Sequence, residues 1–321
     1  MAQVAILDLG SNSVRMTINE YSDNGLFNVL ERKQEMVRLS AGMGDDKKIT
    51  PDSMEKAVNV LKDFKTVLNK YPKVVVKTVA TAAVRQAKNQ DEFLKRFKDI
   101  MGFELDVISG EQEAEYDYYG VIRTLPIKNA VIIDTGGAST ELIQVSNKKM
   151  AQRISIPIGA VNLTEKFDIN DKPSAKELFR AWQYVEEYLD NIPWLDDTRN
   201  LPIVAIGGSN RTLAKIARHI NNQPDLDIHG YHMTKRQVND IFAELLNRNS
   251  NERAEIRGLA KERADVIIGG LLPITNIIGR LDSSQVIFSQ SGVREGVLFT
   301  TIEKVTKEKI TVPEATQLTI D

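Results

Sequence analysis

Three short turns in this chain carry residue types suited to an anion, and each follows an apolar run. Asp8-Leu9-Gly10-Ser11-Asn12-Ser13 closes the run that begins at Val4. Asp134-Thr135-Gly136-Gly137-Ala138-Ser139-Thr140 closes the run from Ala130 to Ile133, and Gly207-Gly208-Ser209 follows Ile203 to Ile206. Small residues after a strand let backbone N–H groups approach an anion closely, and Ser and Thr hydroxyls add donors, so such turns cradle phosphates. One such turn alone reads as a plain chain reversal. Three suggest two lobes facing each other across a cleft that holds a phosphate chain. No GxxxxGK[ST] loop is present and no GxGxxG follows a strand, which disfavours Walker-type and dinucleotide-binding sites. Carboxylates add a second ingredient. Asp8 and Asp134 end their strands, and Glu141 begins the strand after the second turn. Mg²⁺ commonly takes one or two carboxylates plus substrate phosphates and keeps several waters. Asp134 and Glu141 suit it, directly or through water, with Asp8 as a third candidate ligand. An Asp that merely caps its own turn remains the alternative, above all for Asp8.

The turns repeat. Residues 126 positions apart match as Asp8 with Asp134, Gly10 with Gly136, Ser13 with Ser139, and Arg15 with Glu141. The same spacing lays the segment ending in Arg85 onto the one ending in Arg211, each after an apolar strand. Internal duplication is the expectation; chance coincidence of common turn residues is the alternative. One copy would then offer a cation, Arg15, where the other offers a metal carboxylate, Glu141.

The elements that must position these residues can be read from periodicity. Strands are expected at Val4–Leu9, Val14–Tyr21, Phe27–Arg32, Val74–Val79 and Leu105–Ile108 in the first half. In the second half they are expected at Ala130–Ile133, Glu141–Val145, Arg153–Pro157, Ile203–Ile206 and Val286–Phe288. Thr50-Pro51 opens a helix with Met54, Ala57, Val58, Leu61, Phe64 and Leu68 at helical spacing. Further helices are expected over 91–100, from Glu111, over 174–191 and over 234–246, with a last one opened by Ser291-Gly292-Val293. The result is an α/β chain of two domains, since 321 residues exceed what one core usually fills.

Composition removes several chemistries. Lys plus Arg is 42 and Asp plus Glu is 44, a net charge of −2, which argues against coating nucleic acid through bulk charge. With no cysteine there are no disulfides, thiolate zinc sites, iron–sulfur clusters or cysteine nucleophiles. Only His219, His229 and His232 are histidines, too few for a His-rich metal site, and none is assigned chemistry. Trp182 and Trp194 read as core or interface anchors. The N-terminus lacks a basic leader and no run of about 18 apolar residues occurs. A cytoplasmic protein with neither a nucleic-acid nor a membrane partner is expected.

Taken together, several segments resemble the exopolyphosphatase / guanosine pentaphosphate phosphohydrolase family. They are Asp8 to Arg15, Thr81 to Ala87 around Arg85, Ile108-Ser-Gly-Glu-Gln-Glu113-Ala, Asp134 to Leu142, Gly207-Gly208-Ser209, and Gly292-Val-Arg-Glu-Gly296-Val-Leu, in family order. The resemblance implies an actin-like ATPase superfold of two RNase-H-like lobes, with residues 1–124 plus 298–321 in one and 125–297 in the other. The lobes would be hinged near 120–126 and again near Gly296. It also implies Mg²⁺- or Mn²⁺-dependent removal of terminal phosphate. Longer members append a helical domain, so the short form is implied here, and a homodimer is common in the family. By position, Glu113 matches the catalytic glutamate, a general base for the attacking water. Asp134 and Glu141 match acidic positions tied to metal and catalysis. Gly10 to Ser13, Arg15, Arg85 and Gly136 to Thr140 match phosphate contacts.

Three departures stand out. Gln112 replaces one acid of the usual Glu-Glu-Ala. Ala138 replaces a glycine, whose methyl narrows the approach of phosphate if that position needs positive φ. Asn210-Arg211-Thr212 replaces small residues, with Arg211 either an extra anion contact or a surface residue.

Inorganic polyphosphate is the expected substrate, with Arg32, Lys33 and Arg38 extending a basic track for a long chain. Guanosine pentaphosphate (pppGpp) is the alternative substrate in the same site, although nothing in the sequence reads guanine. A non-catalytic phosphate-chain or nucleotide sensor, and a sugar kinase of the same superfold, are the readings from other classes.

Overall fold

The structure, a computed structural model, describes residues 2–22, 27–44, 46–308 and 310. The strands are β1 (Ala2–Leu9), β2 (Val14–Tyr21), β3 (Phe27–Glu35), β4 (Val75–Ala80), β5 (Ala130–Thr135), β6 (Thr140–Ser146), β7 (Lys149–Ile156), β8 (Ile203–Ile206), β9 (His232–Thr234) and β10 (Gln285–Phe288). The helices are α1 (Pro51–Leu68), α2 (Ala82–Gln86), α3 (Gln90–Met101), α4 (Gly110–Thr124), α5 (Ala160–Phe167), α6 (Ala175–Asp190), α7 (Gly208–Ile220), α8 (Lys235–Leu246), α9 (Ser250–Ala254), α10 (Ile267–Arg280) and α11 (Val293–Thr306). The chain divides into two compact units, Met1–Thr124 with Val293–Asp321, and Leu125–Gly292.

Unit 1 is built on a sheet of order β3-β2-β1-β4, with β1, β2 and β3 antiparallel and β4 parallel to β1. Unit 2 repeats that order as β7-β6-β5-β8 and extends it with β10, parallel to β8, and then β9. This is the α/β, actin-like class with RNase-H-like strand order that the family resemblance implies. The repeat holds through the turns and slips by one residue in the parallel pairs, where Asp8 lies beside Val79 but Asp134 beside Ile206. It is recovered at the helix starts. The N–H of Arg85 bonds the carbonyl of Thr81, and that of Arg211 bonds the carbonyl of Gly207, so both arginines occupy the same place in their first helical turn.

Local chemistry explains the elements. β1 is buried on both faces, which is why it reads as a nearly continuous apolar run. Ala5, Leu7 and Leu9 pack with Leu61 and Phe64 of α1 and Phe93 and Phe97 of α3. Val4 and Ile6 pack with Val297, Phe299 and Ile302 of α11. α1 starts where the Thr50 hydroxyl accepts from the Ser53 N–H at 3.2 Å, with Pro51 in the first turn.

Three features differ from the sequence expectation. The strand expected at Leu105–Ile108 shrinks to a single bridge between Val107 and Ala80, because the chain turns at once into the cap of α4. The chain re-enters unit 1 at Val293 rather than 298, because α11 belongs to unit 1 from its first residue. Its Gly296 lies directly on the carbonyl of Tyr116 in α4. The short helices α2 and α5 and the three-residue β9 are too brief to leave a periodic signal. Residues 311–321, expected in the first lobe, lie outside the described residues. Among the described residues, no helix is long and apolar enough to cross a membrane.

Candidate active site

Two turns with one backbone design anchor the site residues. In unit 1, Leu9 pairs with Val14, and the four residues between close on a bond from the Gly10 N–H to the Ser13 carbonyl, 3.0 Å. In unit 2, Thr135 pairs with Thr140, and the Gly136 N–H bonds the Ser139 carbonyl, also at 3.0 Å. Each turn is braced from its carbonyl side. The N–H groups of Arg38 and Ser40 bond the carbonyls of Asn12 and Ser11 at 2.8 and 3.0 Å. The first N–H groups of α5, from Ala160 and Val161, bond the carbonyls of Gly136 and Gly137 at 2.9 and 2.8 Å. Acceptors are thereby turned inward, and N–H donors are what such a loop offers to an anion. The brace on the second turn was not legible beforehand, although Gly159 and Asn162 form a capping pair there, with the Gly159 N–H donating to Asn162 Oδ1 at 2.7 Å.

The strand register sets Asp8 opposite Arg15 and Asp134 opposite Glu141. Asp8, expected among the metal ligands, lies 3.8 Å from the Arg15 guanidinium in an acid–cation pair. Glu141 is only 1% exposed, and Ser155, its neighbour on β7, donates its hydroxyl to Oε1 at 2.7 Å. Two acids directly opposite each other disfavour the pair by repulsion. Their oxygen donors fit a hard divalent cation. Among the described residues, no cluster of three or more His, Cys, Asp or Glu suited to a metal occurs, so water and substrate would complete any such shell.

Glu113 sits in the first turn of α4 and is 8% exposed. Arg85, at the end of the short helix α2, donates from Nη1 to Glu113 Oε2 and to the Ile108 carbonyl, both at 2.9 Å. α2 is in turn tied to the first turn, since the Ala83 N–H donates to the Ser11 hydroxyl at 3.1 Å. Ser11, Arg85 and Glu113 are therefore connected through one short helix. Gln112, read as a lost acid, has a defined task. Its side chain accepts from the Ser109 N–H at 2.9 Å while the Ser109 hydroxyl accepts from the Gln112 N–H at 3.1 Å. That is a capping box, in which Gln serves as well as Glu. Asp117, one helical turn beyond Glu113, is fully buried, and nothing in the sequence pattern singled it out.

The third turn stands where β8 meets α7. Gly207 takes φ +93°, and a Cβ there would fall 2.5 Å from Asp134 Oδ1, so glycine lets the strand end press against the acid. The Arg263 guanidinium lies against Gly208, where a side chain would displace it; this arginine carried no motif and was missed. Arg211 donates from Nη1 to the Gln290 carbonyl at a long 3.4 Å. Ser209, Ser139 and Thr140 are buried, and the Thr140 hydroxyl donates to the Ile158 carbonyl at 2.7 Å, which fixes the loop. Ala138 has no positive φ and its methyl is buried, so the departure from glycine carries no backbone strain. Arg32 and Lys33 are exposed on the outer strand β3, whereas Arg38, at φ +56°, is bonded to the first turn itself.

Comparison with known proteins bears on the family and the fold. A Haemophilus influenzae protein described as a candidate exopolyphosphatase is 29% identical over 92% of this chain and 90% of its own length. The bifunctional 3-dehydroquinate synthase/phosphatase of Fusobacterium nucleatum is 28% identical over 93% of the chain, which spans 46% of that longer protein. The crystal structure of the Aquifex aeolicus member of the Ppx/GppA family superposes with a TM-score of 0.78 at 32% identity, covering 95% of this chain and 98% of that one. An exopolyphosphatase structure from Cytophaga hutchinsonii, 23% identical, shares the fold with a TM-score of 0.87 over 94% of this chain and 98% of that one. The description of the Ppx/GppA phosphatase family matches residues 18–305, and with nearly the whole chain matched, the protein belongs to that family.

Proposed function

We propose that this phosphoanhydride hydrolase removes the terminal phosphate of inorganic polyphosphate. The carrying observation is the Arg85–Glu113 contact at 2.9 Å, which fixes a nearly buried carboxylate at the start of α4. With Oε2 anchored, Glu113 orients an attacking water and takes its proton as the new P–O bond forms in line with the bridging oxygen that leaves. Arg85 acts here by holding the base and adding positive charge. Within its own unit, each of the turns Gly10–Ser13 and Gly136–Ser139 offers N–H donors suited to phosphate oxygens, with Arg15 as the cation in unit 1 and Arg211 and Arg263 as cations in unit 2. Phosphoryl transfer asks mainly for such positioning and charge stabilisation. Asp134 and Glu141 would hold Mg²⁺ or Mn²⁺, which when bound neutralises phosphate charge; Asp8, paired with Arg15, is left out of that set.

The test is phosphate release with Mg²⁺ from long polyphosphate and from guanosine pentaphosphate, at matched terminal-phosphate concentration. Polyphosphate is expected to be preferred, and Glu113→Gln to lower kcat about 10²–10⁴-fold while remaining folded. Preference for the nucleotide would reassign the substrate and keep the residues. Binding without release from either would make the protein a sensor.

A further inference from the structure

Of the three histidines, one is built into the structure next to a proposed substrate contact. The His229-Gly230-Tyr231 segment is tied to the end of β10 on both sides. The Gly230 N–H bonds the Phe288 carbonyl at 2.8 Å, and the Phe288 N–H bonds the Tyr231 carbonyl at 2.9 Å. The His229 ring is thereby placed against the loop that follows β10. Its Nδ1 accepts the Gln290 N–H at 3.2 Å. That bond requires Nδ1 to carry no proton, which puts the ring proton of the neutral form on Nε2. The carbonyl of the same residue, Gln290, accepts from Arg211 Nη1. On either side, the Ser289 hydroxyl donates to the Ser291 carbonyl at 2.8 Å and accepts the Ser291 N–H at 3.1 Å, locking the loop into a turn. The Ser289 N–H bonds the Ala205 carbonyl of β8 at 3.0 Å, so the loop is also pinned to the strand that leads into Gly207.

We infer that His229 is a positioning residue for Arg211. Its Nδ1 holds the Gln290 backbone, and the Gln290 carbonyl accepts from the guanidinium of Arg211, a residue of the first turn of α7. The two groups belong to the peptide units on either side of the Gln290 Cα, so the coupling is positional: the ring fixes the Gln290 backbone, and with it the place of the carbonyl. Without the ring, the Gln290 N–H loses its acceptor, the turn relaxes, and Arg211 loses its direction while keeping its charge. The inference rests on the reading of Arg211 as a phosphate contact.

The test is a double-mutant cycle on the full-length protein, reading KM for polyphosphate and, separately from turnover, the Kd of tripolyphosphate. Arg211→Ala is expected to raise both about tenfold, the loss of one charge-assisted hydrogen bond. His229→Ala should raise both by about three- to tenfold, with kcat changed less than twofold, and should add less than twofold in the Arg211→Ala background. A second contrast avoids dependence on the alanine variant. In His229→Asn, Oδ1 falls near the position of Nδ1 and should restore wild-type values to within about twofold. In His229→Gln, with its acceptor one bond further out, the defect should remain. Equal factors for His229→Ala in both backgrounds, or Asn no better than Gln, would overturn the inference while leaving Arg211 in its role. An unchanged KM and Kd in Arg211→Ala would remove Arg211 from phosphate binding and the inference with it. Loss of phosphate release in the wild type would count against the hydrolase reading alone, since the tripolyphosphate Kd still completes the cycle.

Discussion

The turn at Gly10 and the turn at Gly136 share a backbone and differ in charge. Both close with the same N–H-to-carbonyl bond at 3.0 Å, and both follow an aspartate that ends a buried strand. Across the strand pair, however, Asp8 meets Arg15 and Asp134 meets Glu141. The first pair joins opposite charges; the second sets two acids face to face, whose oxygens suit a hard cation. Duplication can keep a scaffold intact while one cross-strand position is reassigned, because the hairpin hydrogen bonds do not depend on the side chain there. The braces diverged too. In unit 1 the bracing groups come from the loop after β3 and from the cap of α2, and in unit 2 from the N-terminus of α5.

The sharpest way to break this comparison is to make the second turn like the first. Glu141→Arg should lower kcat by about 10³-fold even at saturating Mg²⁺, the scale of charge stabilisation that a metal supplies. Turnover within tenfold of wild type would remove Glu141 from the metal set. A smaller effect is expected where the helices after β4 and β8 begin. Gly207→Ala forces a Cβ onto Asp134 at positive φ and should lower stability by about 1–3 kcal/mol in urea unfolding. Thr81→Ala, at the same place in unit 1, should cost less, under about 1 kcal/mol, since Thr81 is buried but its side chain makes no capping bond and its backbone is not at positive φ. Equal losses at the two positions would mean that the close approach at Gly207 is not what demands glycine. The smallest effect is expected at Ala138. Ala138→Gly should lower stability by no more than about 1 kcal/mol and leave kcat within twofold, because no positive φ is involved. A several-fold gain in kcat would show that the methyl does obstruct the substrate.

The turns, their flanking strands and the repeat between them were legible because their signals are local, with a glycine turn, its flanking apolar run and its aspartate all within about ten residues; the order of strands in each sheet came only with the family resemblance. Asp134 and Glu141 were legible as a pair because a short hairpin fixes which residues face each other. Arg85 and Glu113 were each visible by resemblance, but their contact was not, since it joins two helices far apart in sequence through folds of the chain that no periodicity reports. Gln112 shows the opposite failure. Its Ser-x-x-Gln spacing is a capping-box signal, whereas comparison with the family motif registers the same residue only as a lost acid. Arg263 left no signal, because its place on Gly208 follows from tertiary packing alone.

The division of unit 1 into two stretches of chain has a consequence for synthesis. The face of β1 carrying Val4 and Ile6 is covered by Val297, Phe299 and Ile302. During translation that face emerges early, and its cover emerges only after all of unit 2 has been made. At typical elongation rates the wait is roughly a few tens of seconds, long compared with hydrophobic collapse. Unit 2, continuous in sequence, can complete its core in that interval. The nascent N-terminal sheet meanwhile offers an apolar surface to chaperones or to other chains, and α11 arrives last to cover it.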